Sequence, residues 1–403
     1  MRLASLCIPH VGGTYIFSEN LRRSLASEGI ELRWIAVGKR EQEAVEDFRF
    51  AGERAFGKVI GVDAVSTRDQ AYELIKHLRD EGYEAVIIHV LAGQLQANIA
   101  RYLPAGIMRI LIVHNITRGT YSYARAIRDH VHAAVAPSPR IHRDLVARCR
   151  FPTDRCVEIM HGIEVQRFDA GQTRKRGNEL KILSLGRIEH QSKGVFWIPE
   201  ILKRLNVLNM RVTIVGDGPD LGELKRRMLR VQYPVEFAGA VPNESVPDFY
   251  RQHDLLLMPS HYEGFPLVLI EAMAAGCVPA VSKIQLVTDC VVDPGVTGWL
   301  FDPGDVDGAA AILRKAEGDR ERLLTMSDAC RKKAATCYSL SRMGRSYAAL
   351  IRSLVEDRPA IAQPLPLSDW RLPAGIRPGV TNLLPSTVKP MLRRWRECLF
   401  YRW

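Results

Sequence analysis

The chain has 403 residues, room for two or three domains of ordinary size, and its 47% hydrophobic and 25% charged content is that of a globular protein. No window of about 18 uninterrupted apolar residues occurs, so no transmembrane helix is predicted. The net charge of +11 predicts an anionic partner, and residues 371–403 carry seven Lys and Arg against Glu397 alone; with no nucleic-acid motif present, a membrane surface ranks first.

Residues 1–9 could pass for a weak signal peptide, but the stretch is too short and Gly12-Gly13 follows at once, so it is read as a buried first strand. Further strands are predicted at 32–37, 85–90, 109–113, 133–136 and 157–160, with helices at 14–27 and 67–79. Thr67 with Gln70 fits a capping box. The polar stretch 167–177 reads as a linker. The alternation restarts with strands at 181–185, 211–215, 235–237, 255–258, 278–281 and 299–301. Helices are predicted near 195–205, 221–230, 266–275, 306–315, 320–335 and 340–355. Short β-rich runs alternating with amphipathic helices predict parallel α/β layers. From Asp357 prolines accumulate, which predicts an extended arm. The spacing of apolar residues over 388–403 is roughly helical, with arginines between. It suits either a membrane-interface helix or a terminal helix packed on the first domain. The eight cysteines are scattered without a Cys-x-x-Cys pair and read as free buried thiols of a reducing compartment.

The most informative stretch runs from Glu263 through Gly264-Phe265-Pro266-Leu267 to Glu271 and Gly276. Pro266 suits a helix start and Gly276 a helix stop. Between them the residues are apolar or small, so the helix is predicted to be buried, and an acid inside it needs a partner. Glu263 precedes the helix and Glu271 lies within it. Two acids able to hold hydroxyls, beside free helix-start amides able to hold phosphate, suggest a sugar-nucleotide site. Gly186-Arg187 ends one strand and Lys193-Gly194 opens the next helix, so a fixed guanidinium fork and a mobile ammonium can meet a diphosphate from two sides. Gly216, in Val215-Gly216-Asp217-Gly218-Pro219, makes a tight turn in which Asp217 or Asp220 caps. Gly239 and Val241 stand in the loop after the strand near 235. Gly12-Gly13 lets the chain approach a ligand before the first helix, but no Gly-x-Gly-x-x-Gly is present, which argues against a dinucleotide. His114 ends a strongly apolar strand, and Arg118, Tyr121 and Tyr123 follow in a predicted loop facing an acceptor. Asp305-Val306-Asp307 has the form of a metal-binding pair, but Asp305 reads better as an N-cap, so no metal is expected.

These motifs resemble the retaining nucleotide-sugar glycosyltransferases of family 4. The resemblance is strong from about 180 to 310, thinner from 1 to 170, and does not extend beyond about 357. It implies the GT-B fold: two Rossmann-like doubly wound parallel-sheet domains facing a central cleft. The expected division is an acceptor domain at 1–167, a donor domain at 168–338, a helix at 339–356 crossing back to the first domain, and a basic tail at 357–403. By likeness, Glu263 with the backbone of Gly264, Phe265, Pro266 and Leu267 contacts the donor sugar, and Glu271 holds the ribose. Arg187 and Lys193 meet the leaving diphosphate. Gly186 and Gly216 line the site, Gly239 and Val241 carry the base, Gly12 and Gly13 lie near the donor phosphate, and His114 faces the sugar. The implied reaction moves a hexose from a nucleoside-diphosphate sugar to a saccharide or lipid-linked saccharide acceptor, without cofactor or metal, in polysaccharide or glycolipid synthesis. The expected location is cytoplasmic or peripheral on the inner membrane face. The alternatives are a non-catalytic nucleotide-sugar-binding protein and a sugar-nucleotide epimerase. The stretch 282–289 departs from the family pattern by lacking its glycine and proline-glutamate, which leaves the donor open.

Overall fold

The computed structural model describes residues 1–10, 12–89, 94–169, 177, 179–206 and 209–373. The chain divides into two units, Met1–Gly162 with the chain from Leu340 onward, and Ile163–Ser339.

In the first unit, β1 (Arg2–Leu6), β2 (Glu31–Val37), β3 (Gly57–Ile60), β4 (Ala85–His89), β5 (Met108–Ile112), β6 (Ala133–Ala136) and β7 (Cys156–Glu158) form one parallel sheet. Its order is β3-β2-β1-β4-β5-β6-β7. Parallel strands require crossovers, and helices on both faces bury the central strands completely. Val86, Ile87 and Ile88 of β4 are fully buried, which explains their unbroken apolar run. Helix Gly13–Ala26 buries Phe17, Leu21 and Leu25 at helical spacing. Helix Leu340–Glu356 buries Met343, Tyr347, Ile351 and Leu354 in the same way. A Cβ on Gly344 would lie 2.7 Å from the Ser24 carbonyl oxygen, so this glycine lets the two helices meet backbone to backbone. Truncating fully buried Ile351 to Ala is expected to cost about 2–5 kcal/mol.

In the second unit, β8 (Leu180–Leu185), β9 (Met210–Val215), β10 (Val235–Gly239), β11 (Leu255–Met258), β12 (Val278–Ser282) and β13 (Trp299–Phe301) form a second parallel sheet, in the order β10-β9-β8-β11-β12-β13. In both sheets the strand order reverses once, between β1 and β4 and between β8 and β11. The carboxyl ends of strands flanking such a reversal are where ligands bind in open α/β sheets.

Three local expectations change. The capping box is Ser66 with Asp69, one residue earlier than the Thr67–Gln70 pairing, because the Ser66 hydroxyl accepts from the Asp69 amide. Strand β3 carries no clear strand signal: it is an edge strand of four residues that starts with glycine. Arg118, Tyr121 and Tyr123 lie in a helix, Arg118–Ile127, whose start Thr117 caps, and not in a loop. Within the expected linker, Arg167 and Phe168 end helix Val165–Phe168, with Phe168 buried; residues 170–176 lie outside the described residues. The arm from 357 to 373 has no regular structure except one 3-10 turn, Leu367–Asp369, and is held on the first unit: the Ala362 amide donates to the Asp129 carbonyl (2.7 Å) and the Leu365 amide to the Arg101 carbonyl (2.8 Å). The helix expected at 388–403 lies outside the described residues. The described cysteines are free, most of them buried.

Candidate active site

At the β8–β11 reversal, Gly186-Arg187 leaves β8 and the segment 259–266 leaves β11. Gly194 brings them together. Its φ of +62° suits glycine, and a Cβ there would stand 1.9 Å from the Pro259 carbonyl oxygen. The short helix His190–Lys193 therefore rests against the end of β11, and the His261 amide donates to the Ser192 carbonyl (2.9 Å). This contact delivers Lys193: its Nζ is 2.7 Å from Glu263 Oε1, and the Ser260 hydroxyl donates to the same oxygen at 2.7 Å. Glu263 is almost fully buried, while the Lys193 side chain keeps a third of its surface exposed. Arg187 takes another direction. Its side chain is 66% exposed and pairs with Glu189 at 3.4 Å.

After Glu263, the buried residues Gly264, Phe265 and Pro266 lead into helix Leu267–Ala274. No side chain caps its start; the Leu269 amide donates back to the Pro266 carbonyl (3.2 Å), which leaves the Leu267 and Val268 amides without an intrahelical or capping acceptor. Gly276, at φ +73°, ends it beneath Ser327 and Arg331. Glu271 is buried in the helix, and the Tyr250 hydroxyl donates to its Oε2 at 3.0 Å. Burial pushes the Glu271 carboxyl up to about 7; the Tyr250 hydrogen bond and the Arg167 charge act in the opposite direction.

Gly186, Gly216 and Gly239 stand at the ends of three neighbouring strands, β8, β9 and β10. The Gly216 amide donates to the Gly239 carbonyl (2.7 Å), and a Cβ on Gly216 would lie 1.9 Å from the Gly186 carbonyl oxygen. The result is a wall of backbone along the same sheet edge as Glu263, with Val241 half-buried two residues beyond Gly239. Of the two candidate capping acids in this turn, Asp220 accepts from the His190 amide at 2.7 Å, and so fixes the helix carrying Lys193. Asp217 accepts from Gly218.

In the first unit, Gly12 precedes helix Gly13–Ala26 and offers it no side-chain cap. His10 donates from Nδ1 to the Ile8 carbonyl (2.8 Å). At the β1–β4 reversal a hydrogen-bonded chain runs from Ser18 through Ser5 (3.2 Å) and His89 Nε2 (2.9 Å) to His114, whose Nε2 is 2.8 Å from His89 Nδ1. Burial pushes His89 and His161 down to about 3 and His114 well below the usual imidazole range, so all three are neutral. Phe17 lies across His114 and His161, with ring centroids 4.9 and 4.2 Å away. The Tyr121 hydroxyl is committed to buried Asp144 at 2.9 Å.

Sequence reasoning missed His89, Ser260 and Tyr250. His89 ends an apolar strand just as His114 follows one, which is the signal that could have found it. Ser260 and Tyr250 have no such signal. Asp305 is the N-cap expected of it, accepting from the Gly308 amide at 2.8 Å, and Asp307 pairs with Arg204 at 2.6 Å. Among the described residues no group of three His, Cys, Asp or Glu side chains is arranged to hold a metal ion.

Residues 165–333 match the family model described as glycosyl transferases group 1. A sulfoquinovosyl transferase of Arabidopsis thaliana is 28% identical over 54% of this chain and 44% of its own length. A glycogen synthase of Mycobacterium tuberculosis is 28% identical over 53% of this chain and 52% of its own length. The chain thus spans about half the length of the curated relatives it matches. Among solved structures, Anabaena HepE in complex with UDP superposes with a TM-score of 0.72 at 15% identity, covering 88% of this chain and all of that one. That likeness concerns the fold: two doubly wound parallel-sheet units, with a final helix returned to the first, make up the GT-B fold.

Proposed function

We propose that this chain, whose residues 165–333 match the glycosyl transferases group 1 model, is a retaining glycosyltransferase that moves a hexose from a nucleoside-diphosphate sugar to an acceptor hydroxyl. The observation that carries the proposal is the Lys193–Glu263–Ser260 cluster, set at the strand-order reversal and beside the uncapped start of helix Leu267–Ala274. An ammonium and free helix amides suit a diphosphate, and a carboxylate beside them suits sugar hydroxyls. The names of the curated relatives and the UDP carried by the HepE structure support the same substrate class.

In this reaction the bond from the anomeric carbon to the diphosphate breaks and a bond to the acceptor oxygen forms on the same face. The acceptor proton passes to the leaving phosphate. Lys193 neutralises charge that grows as the diphosphate departs, so it acts most strongly in the transition state, and Arg187 joins it by exchanging its exposed pairing with Glu189 for the phosphate. Glu263 and the amides after it orient the sugar, and Glu271 takes the ribose. The backbone at Gly186, Gly216, Gly239 and Val241 lines the nucleotide. In the first unit, neutral His114 is assigned to the sugar, and Gly12 and Gly13 to the donor phosphate. The reaction as proposed uses neither metal nor cofactor and serves polysaccharide or glycolipid synthesis. No helix among the described residues is long and apolar enough to cross a membrane. The seven cations of 371–403 are assigned to the anionic inner face of a membrane, with a lipid-linked saccharide as acceptor. Incubation with a panel of nucleotide sugars, scored for released nucleoside diphosphate and for glycosylated acceptor, tests this. Release of no nucleotide from any donor leaves only a binding protein, and donor conversion without acceptor makes the chain an epimerase.

A further inference from the structure

Arg109 lies on β5, a central strand of the first sheet, and is fully buried. Its Nη2 donates to the carbonyls of Leu103 and Pro104, while Nε and Nη1 are buried and have no acceptor. A guanidinium stays charged, so a buried one without a counter-charge is costly. Its surroundings add more positive charge. The Arg109 amide donates to His132 Nδ1 (2.9 Å) and the His132 amide returns to the Arg109 carbonyl (2.9 Å). Arg109, Arg155 and Arg358 all act on His132 and hold it down at about 4, with burial the larger cause. Arg155 Nε is also buried without an acceptor, and His130 Nδ1 is buried without a hydrogen-bond partner. No carboxylate lies within ion-pair distance of Arg109, Arg155 or Arg358 among the described residues. Asp129 senses Arg155, but its two oxygens are engaged by Arg128 at 2.8 and 2.9 Å.

The arm closes this region. Arg358 donates to the Gly106 carbonyl (2.9 Å), Arg155 to the Ala360 carbonyl (2.7 Å), and Ala362 to the Asp129 carbonyl (2.7 Å). We propose that the amino-terminal edge of the first sheet binds a phosphoryl anion, gripped by the guanidinium groups of Arg109, Arg155 and Arg358 and enclosed by the arm 357–373. Three buried guanidinium N–H groups without acceptors, Arg109 Nε and Nη1 and Arg155 Nε, are what such an anion, with oxygens on every side, would satisfy, and forked guanidinium groups match its geometry. The site belongs to the opposite sheet edge from His114 and does not depend on the transferase assignment.

The test uses the full chain carrying Lys193→Ala, which weakens any response from the proposed diphosphate site. Its thermal midpoint is followed in inorganic phosphate, in diphosphate, and in chloride of equal ionic strength. Phosphate at about ten times its dissociation constant is expected to raise the midpoint by roughly 3–5 °C. Arg109→Met, Arg155→Met and Arg358→Met, each added to Lys193→Ala, are expected to abolish the rise. If Arg109→Met does not fold, the other two, at partly exposed positions, decide. Phosphatidylglycerol vesicles, with phosphatidylcholine as control, distinguish a lipid headgroup from free phosphate, provided binding is lost in the same variants. A midpoint no higher in any phosphoryl compound than in chloride, or a rise that survives all three Arg→Met changes, overturns the proposal.

Discussion

Lys193 Nζ and Ser260 Oγ converge on one oxygen of Glu263, each at 2.7 Å, so the ammonium is already held at the end of β11 before any ligand arrives. A diphosphate entering there meets a cation whose position is set by a nearly buried carboxylate, so less rotamer entropy remains to be lost on binding. Lys193→Ala is accordingly expected to lower turnover about 10²–10³-fold, the usual loss when one donor to a developing oxyanion is removed. Nucleoside diphosphate release measures it, and circular dichroism confirms the fold. Turnover at the unaltered rate would show that Lys193 has no part in the chemistry.

Glu271 couples activity to stability in opposite senses. Its folded-state pKa, about 7, lies above the ordinary glutamate value of 4.5, so folding favours the protonated form. The stabilising contribution is complete below about pH 4.5 and is lost as pH rises through 7. Glu271→Gln keeps an acceptor for Tyr250 and removes this loss. The variant is expected to match the parent near pH 4.5 and to exceed it by roughly 3 kcal/mol at pH 8, while losing nucleotide-sugar turnover. Urea unfolding at four pH values reads the stability. A parent-minus-variant difference that does not change with pH would refute the placement of the ionisation.

The histidines of the first unit act with the other sign. His89 and His161 are held at about 3 and His114 well below the usual range, so the unfolded chain binds more protons between those values and about 6.5. Their stabilising contribution is full above about pH 6.5 and declines as pH falls, by about 1.4 kcal/mol per pH unit for each histidine. His161→Phe is expected to make stability less steep in pH between 6.5 and 4.5, as read from unfolding midpoints. Equal slopes in parent and variant would mean that His161 is not buried in its neutral form.

Gly194→Ala tests how the fold delivers Lys193. The new methyl must occupy a point 1.9 Å from the Pro259 carbonyl oxygen, at a φ of +62°. The substitution is expected to destabilise by about 1–3 kcal/mol through strain and to weaken binding of nucleoside diphosphate. Calorimetric titration beside a thermal melt separates the two effects. Wild-type affinity and melting together would show that this contact does not position the lysine.

Much of this was visible in the chain as written. Apolar runs and helical spacing are local properties, so they located every described strand but β3 and the longest helices, though not shorter ones such as Lys39–Val45, Arg118–Ile127, Pro139–Ala147 and Val246–Gln252; the run from Glu263 to Gly276 placed an acid before a buried helix and another inside it. β3 escaped because Gly57-Lys58-Val59-Ile60, at a sheet edge, is too short and too mixed to show a period. Hydrogen-bond partners follow strand order instead. His89 meets His114 because β4 lies beside β5, and Glu271 meets Tyr250 across 21 positions because two helices pack. Arg187, paired with Lys193 by sequence, turned to Glu189 in the fold. Composition and periodicity sufficed for the two parallel-sheet units, since burial pattern is written residue by residue. Which carboxylate holds which cation, and whether an imidazole is charged, was decided only by packing, because desolvation and distance belong to neighbours that the chain order does not name.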